Sequence, residues 1–169
     1  TAEAIAPQFD CLLYDLRGFG KSLLPKENNY ISSYELEEYA EDLVLLLDAF
    51  NLDQIYLNSH SMGASVAAIF LNLVPKKVAK AILTCNGIFA YNPTTFALFH
   101  KAGSYVVKFR YQWFLKVPLA DKLFMSRFLY RPIPRDLSKG FLEDFLLADY
   151  EAALGTIYTS VSKKAVEIM

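Results

Sequence analysis

The chain has 169 residues, 54% of them hydrophobic and 21% charged, with a formal net charge of −1. That balance buries enough apolar surface to offset chain entropy, so intrinsic disorder is excluded. With 17 Lys and Arg against 18 Asp and Glu there is no cationic excess to neutralise phosphates, and nucleic acid is not an expected partner.

In chain order, the stretch from Thr1 to Ala6 reads as the tail of a helix. The run Phe9 to Asp15 is short and almost wholly apolar, which suits a strand buried on both faces of a parallel sheet. Ser32 and Glu35 have the spacing of a capping box. Leu36, Tyr39, Leu43, Leu46, Leu47 and Phe50 follow at helical intervals, so a helix is expected from about Ser33 to Phe50. A short strand over Gln54–Asn58 leads into Ser59-His60-Ser61-Met62-Gly63. The segment Ala64–Val74 then reads as a helix stopped by Pro75. A third strand, Lys80–Cys85, ends at Asn86-Gly87. Strands alternating with helices imply an α/β fold with a parallel sheet and right-handed crossovers.

Aromatic residues concentrate beyond residue 90, where the pattern is helical with breaks at Pro118, Pro132 and Pro134. Asp136 is the expected cap of a helix reaching about Ala148, and Tyr150–Ile168 reads as one further helix. Tyr105, Phe109, Trp113 and Phe114 recur on one face of an expected helix, and Phe124, Phe128, Phe141 and Phe145 add apolar bulk. The chain thus divides into 1–90, carrying the sheet, and 91–169, a helical subdomain.

The chemistry concentrates at Ser59-His60-Ser61-Met62-Gly63. A serine between a strand and a helix sits on a sharp turn, so the positions two before and two after it must be small. Ser59 and Gly63 are small. Ser61 would then project above the sheet as a nucleophile, with the following helix aiming its positive N-terminus at the same spot and the Met62 N–H able to stabilise an oxyanion. The plainer alternative makes Ser61 a helix N-cap.

This segment resembles the elbow of the α/β-hydrolase fold family, whose usual G-x-S-x-G is altered here at Ser59. A second match lies at Asp15-Leu16-Arg17-Gly18-Phe19-Gly20-Lys21-Ser22, which is similar to the family's D-x-R-G-x-G-x-S loop. Other readings of this glycine loop fail. A phosphate-binding P-loop would need glycine where Asp15 stands, and a dinucleotide fingerprint would need it at Leu23.

The resemblance implies a partial α/β-hydrolase sheet with a helical cap (91–169). It implies a serine hydrolase of esterase or lipase type, acting on an ester or related acyl substrate through an acyl-enzyme. Carbon–carbon hydrolysis, aminopeptidase and haloperoxidase activities occur in the same family. Dehalogenases and epoxide hydrolases of the fold use an aspartate nucleophile and are disfavoured by serine at position 61. A cap over the nucleophile makes Trp113 and Phe114 candidate substrate contacts, and the expected partner is a small apolar or aromatic acyl compound.

His60, beside the nucleophile, is expected to be packed rather than to act as base, and His100 to line a surface or pocket. Asp15 and Arg17 are expected to brace their loop. Cys11 and Cys85 are expected to be buried thiols. Two histidines without a Cys-x-x-Cys pair give no metal site, and no cofactor is expected.

The family's catalytic acid, its histidine, its other oxyanion donor, its first three strands and its last two are not found here. The third of these strands would lie between the runs ending at Asp15 and Asn58. The isolated chain is therefore expected to be inactive, and a non-catalytic binding protein of hydrolase fold is the alternative. No run reaches the roughly 18 apolar residues of a membrane span, no signal segment follows Thr1, and a cytoplasmic location is favoured.

Overall fold

The computed structural model describes residues 2–23, 33–85, 90, 92–126 and 129–168. Helix α1 is Ala2–Ile5, and α2 is Leu36–Ala49. Strand β1 is Ile55–His60, α3 is Met62–Leu73, and β2 is Val78–Thr84, entered through a 3₁₀ turn at Pro75–Lys77. Among the described residues five helices follow: α4 (Pro93–Lys108), α5 (Ala120–Ser126), α6 (Arg135–Leu147), α7 (Tyr150–Ser160) and α8 (Lys163–Ile168).

The apolar stripe of α2 forms the main core with α3. Tyr39 and Phe70 are fully enclosed, and Leu36, Leu43, Leu47, Val66 and Ile69 pack around them. Each of the large side chains contributes about 1.5–3 kcal/mol by leaving water. Ala152 of α7 and Ala165 of α8 join the same cluster, so the last two helices are fastened to α2 and α3.

β1 and β2 pair in parallel, as expected, and α3 is the crossover between them. Side chains of β1 alternate: Ile55, Leu57 and Ser59 are half-buried, while Tyr56, Asn58 and His60 are exposed.

Phe9–Asp15, expected as a strand, is not one. Residues 10–16 run without regular structure, and Phe9, Leu12, Leu13 and Tyr14 are exposed. A strand persists by exchanging ladder hydrogen bonds, and among the described residues no neighbouring strand exchanges them with this segment. Between Cys11–Tyr14 and Ile55–Asn58 lies a cleft of about 310 Å³, floored by Leu43, Leu47 and Leu52. It occupies the place where the family's third strand was expected. Both cysteines are exposed rather than buried, Cys11 because its segment leaves the sheet and Cys85 because it follows the last residue of β2.

Helix ends differ from expectation for identifiable reasons. Ser32, Asn86, Gly87 and Phe128 lie outside the described residues. Glu35 is itself the N-cap of α2, without a side-chain cap bond, because its carboxylate is drawn to the Thr159 hydroxyl (3.2 Å) and Lys164 (3.6 Å). Pro134, not Asp136, precedes α6, and Asp136 falls in its first turn. The helix expected over Tyr150–Ile168 breaks at Val161-Ser162, where the Ser162 hydroxyl accepts the Ala165 N–H at 3.0 Å and opens α8. Phe109 ends α4, and Trp113 and Phe114 lie instead on a separate 3₁₀ turn, Gln112–Lys116. Arg110 explains the change of direction: its guanidinium donates to the carbonyls of Phe145 and Ala148, both at 2.6 Å, at the C-terminal end of α6.

The glycine loop ties the two parts of the chain together. Gly18 has φ +85°, its carbonyl accepts the Asp149 N–H at 2.7 Å, and a Cβ there would stand 2.2 Å from the Cβ of Ala152. We expect Gly18→Ala to cost about 3 kcal/mol, from overpacking plus a left-handed backbone on an L-residue. The midpoint of denaturant unfolding of the full-length protein measures it. An unchanged midpoint would show that α7 does not dock on this loop.

Candidate active site

Two segments carry the candidate chemistry. At the elbow, β1 ends at His60 and α3 begins at Met62, leaving Ser61 alone at the corner with φ 53° and ψ −125°. Such a conformation costs a non-glycine residue about 1–3 kcal/mol and persists only where its surroundings impose it. Here they do. The Ser61 N–H donates to the Thr84 carbonyl at 3.0 Å, and the Ser61 carbonyl accepts the Ala64 N–H at 2.8 Å. The Thr84 hydroxyl donates to the Ser59 carbonyl at 2.8 Å, so the end of β2 holds the corner from the side.

Small residues, Ser59 and Gly63, flank the corner. A Cβ built on Gly63 would meet the Cβ of Ser59 at 3.9 Å, ordinary contact. Serine in place of the family's first glycine is therefore accommodated sterically, with room for a Cβ at position 63 beside it.

Ser61 is exposed at the head of the 12-residue α3. Met62 is the first residue of that helix, so its N–H has no intrahelical acceptor and points with the positive end of the helix dipole. Among the described residues, no side chain hydrogen-bonds the Ser61 hydroxyl. His60 is exposed on the opposite face of β1 from Ser59 and is not packed as expected, since strand alternation turns it outward with Tyr56 and Asn58. His100 is half-buried on α4, and its Nε2 is committed to the Val161 carbonyl at 2.6 Å.

In the second segment, the Asp15 carboxylate accepts the Lys21 N–H at 2.9 Å, and the Gly18 N–H closes the turn on the Ser22 carbonyl at 2.8 Å. Arg17 reaches across to α2, with Nε 3.0 Å from Asp42 and Nη1 3.1 Å from Glu38. Its carbonyl accepts the Tyr39 hydroxyl at 3.0 Å. The Ser33 hydroxyl first, and then Arg17, hold the Glu38 carboxyl below the usual carboxylate range. These residues brace the loop against α2.

Trp113 and Phe114 stack on each other at 4.3 Å between ring centroids, on a turn packed against α5 and α6, with Trp113 exposed and Phe114 half-buried. The structure thus gathers Ser61 and Met62 at one corner and sets the two aromatic rings on another element. The bracing by Thr84 was not foreseen, because it depends on the register of a parallel pair that sequence spacing does not encode.

A strained serine at a strand-to-helix corner, beside a parallel strand pair and a glycine loop fastened to the neighbouring helix, defines an α/β protein with a sharp strand-to-helix elbow. Residues 1–148 match the model of the alpha/beta hydrolase fold, and the chain belongs to that family. It is 30% identical over 82 residues to a proline iminopeptidase of Heyndrickxia coagulans, covering 48% of this chain and 27% of that protein. It is 40% identical over 75 residues to an epoxide hydrolase 2 of Siraitia grosvenorii, covering 44% and 21%. An esterase of Exiguobacterium antarcticum superposes with a TM-score of 0.66 at 19% identity, over 88% of this chain and 54% of the esterase. The chain spans about a quarter of the length of these two sequence relatives. Among the described residues no helix is long and apolar enough to cross a membrane.

Proposed function

We propose that this chain carries the nucleophile of a serine hydrolase acting on esters or related acyl compounds. The observation that supports it most is the imposed left-handed corner at Ser61, a strained conformation spent on the one residue of the turn able to attack a carbonyl. Ser61 would give its hydroxyl proton to a histidine base as it adds to the acyl carbon, the Met62 N–H would stabilise the resulting oxyanion, and the histidine would pass that proton to the leaving alcohol. Water would then release the acid from the acyl-enzyme. His60 faces away and His100 is spent on a backbone carbonyl, so the base and its orienting acid are assigned to parts of the protein beyond these residues. On this reading residues 1–169 alone do not turn over substrate. Serine at position 61 also separates this protein from epoxide hydrolases, whose fold-mates use a carboxylate there, despite the 40% identity to one of them.

The test is covalent labelling of the full-length protein with a fluorophosphonate probe. Labelling is expected in the wild type and absent in Ser61→Ala; equal labelling of both would remove Ser61 as nucleophile. No labelling of either would favour the alternative, a binding protein that keeps the fold without the chemistry.

We further assign residues 91–169 to a lid over the elbow, fastened to the 1–90 core through α7 and α8, with Trp113 and Phe114 among its substrate contacts. Each methylene buried in such a lid is worth about 0.8 kcal/mol. The specificity constant should then rise severalfold from acetyl to butyryl to hexanoyl p-nitrophenyl esters. A flat or falling series would return the aromatic residues to packing alone.

A further inference from the structure

A second cavity, of about 550 Å³, opens between α4 and α7. Lys101, Ser104, Tyr105 and Lys108 follow one another at helical spacing along one face of α4, and Tyr150, Leu154 and Tyr158 do so along the facing side of α7. Seven residues of helix place the two lysines about 10 Å apart along the groove. The floor between them is apolar and aromatic, with Leu154 half-buried and the tyrosine rings partly exposed.

Three polar groups of the floor, those of Ser104, Tyr158 and His100, are already satisfied. The Ser104 hydroxyl donates to the His100 carbonyl at 2.7 Å and lies 2.9 Å from the Tyr158 hydroxyl, which is left to donate to it. His100 is bound to the Val161 carbonyl. Among the described residues no carboxylate lines the groove and neither Lys101 nor Lys108 makes an ion pair, the Lys108 ammonium lying 6.0 Å from the centre of the Phe109 ring. The recognition capacity that remains is two ammonium groups and the Tyr105 and Tyr150 hydroxyls along a largely apolar trough.

We propose that this groove binds an amphiphilic carboxylate: an aliphatic or aryl chain lying on Tyr105, Tyr150, Leu154 and Tyr158, with its carboxylate held by Lys101 or Lys108. The volume falls within the usual range for small-molecule sites. A phosphate-rich polyanion does not fit a trough that is apolar between its cations. A neutral amphiphile would gain no charge-assisted contact from either ammonium group.

Decanoate is the probe, measured by equilibrium dialysis against the full-length protein carrying Ser61→Ala, so that the outcome does not depend on turnover or on the nucleophile assigned above. One saturable site is expected. Its affinity should fall about tenfold or more in Lys101→Gln/Lys108→Gln, through loss of the charge-assisted contact, and recover in Lys101→Arg/Lys108→Arg. It should weaken in about 0.5 M salt, and decanol should bind more weakly and respond to neither change. Both lysines are exposed, so the variants are expected to fold, and circular dichroism checks it. Absence of a saturable site, or equal decanoate affinity in the wild-type and Gln variants, would overturn the proposal.

Discussion

Ser61→Gly is expected to abolish turnover and stabilise the protein at once. On the proposed mechanism the substitution removes the attacking oxygen, and loss of a serine nucleophile that works together with its base lowers kcat by about five to six orders of magnitude. The same change relieves a backbone held at φ 53° and ψ −125°, where a Cβ costs about 1–3 kcal/mol. Against that stands the extra freedom glycine gives the unfolded chain, about 0.4–1 kcal/mol. The difference leaves a net gain of about 1 kcal/mol. Ser61→Ala keeps the Cβ and should lose activity without gaining stability. Thermal unfolding of both variants, read beside their kcat, separates the cases: a glycine variant less stable than the alanine one would mean that the corner stores no strain. On that mechanism the trade between stability and activity expected of a functional site would be confined to one residue.

The elbow and the helices around it were legible because their determinants are local. The 3.6-residue recurrence of Tyr39, Leu43 and Leu47 needs no partner to be seen, and Ser59, Ser61 and Gly63 lie within five residues. What escaped depends on distant groups. Phe9–Asp15 has the composition of a buried strand, but pairing is a property of two strands, and the segment runs exposed beside an unfilled cleft. Glu35 left its capping role because α7 and α8 bring Thr159 and Lys164 to it across more than 120 residues. Other determinants are local. Asn92 before Pro93, and Asp149, each accept an N–H three residues on at 3.0 Å and open α4 and α7, while Ser162 divides the last helical stretch. Lys101 and Lys108, seven apart on α4, were likewise readable as one face, but their meaning rests on α7 lying opposite.

Residues 1–169 expressed alone are expected to aggregate or to remain partly folded. Parallel sheets are stable when both faces are covered and their inner edges are paired. Here α3 covers one face, whereas Tyr56 and Ile82 on the other are 65% and 61% exposed. The edge of β1 away from β2 opens on the apolar cleft lined by Leu12, Tyr14, Leu43 and Leu47. Each backbone group left unpaired in such a setting costs roughly 1–3 kcal/mol, against a total stability of about 5–15 kcal/mol for a whole domain. Three or four such groups consume most of it, and an unpaired edge beside exposed apolar side chains is also a template for association with another chain. A strand supplied by the rest of the protein would fill the cleft, pair β1 and convert Cys11–Tyr14 from exposed coil to sheet. Size-exclusion chromatography and differential scanning calorimetry on residues 1–169 decide the matter. A soluble monomer with a single cooperative transition would show that the α2–α3 core suffices without that strand. Broad, non-cooperative melting that becomes cooperative in the full-length protein would show that the cleft between Cys11–Tyr14 and β1 sets its stability.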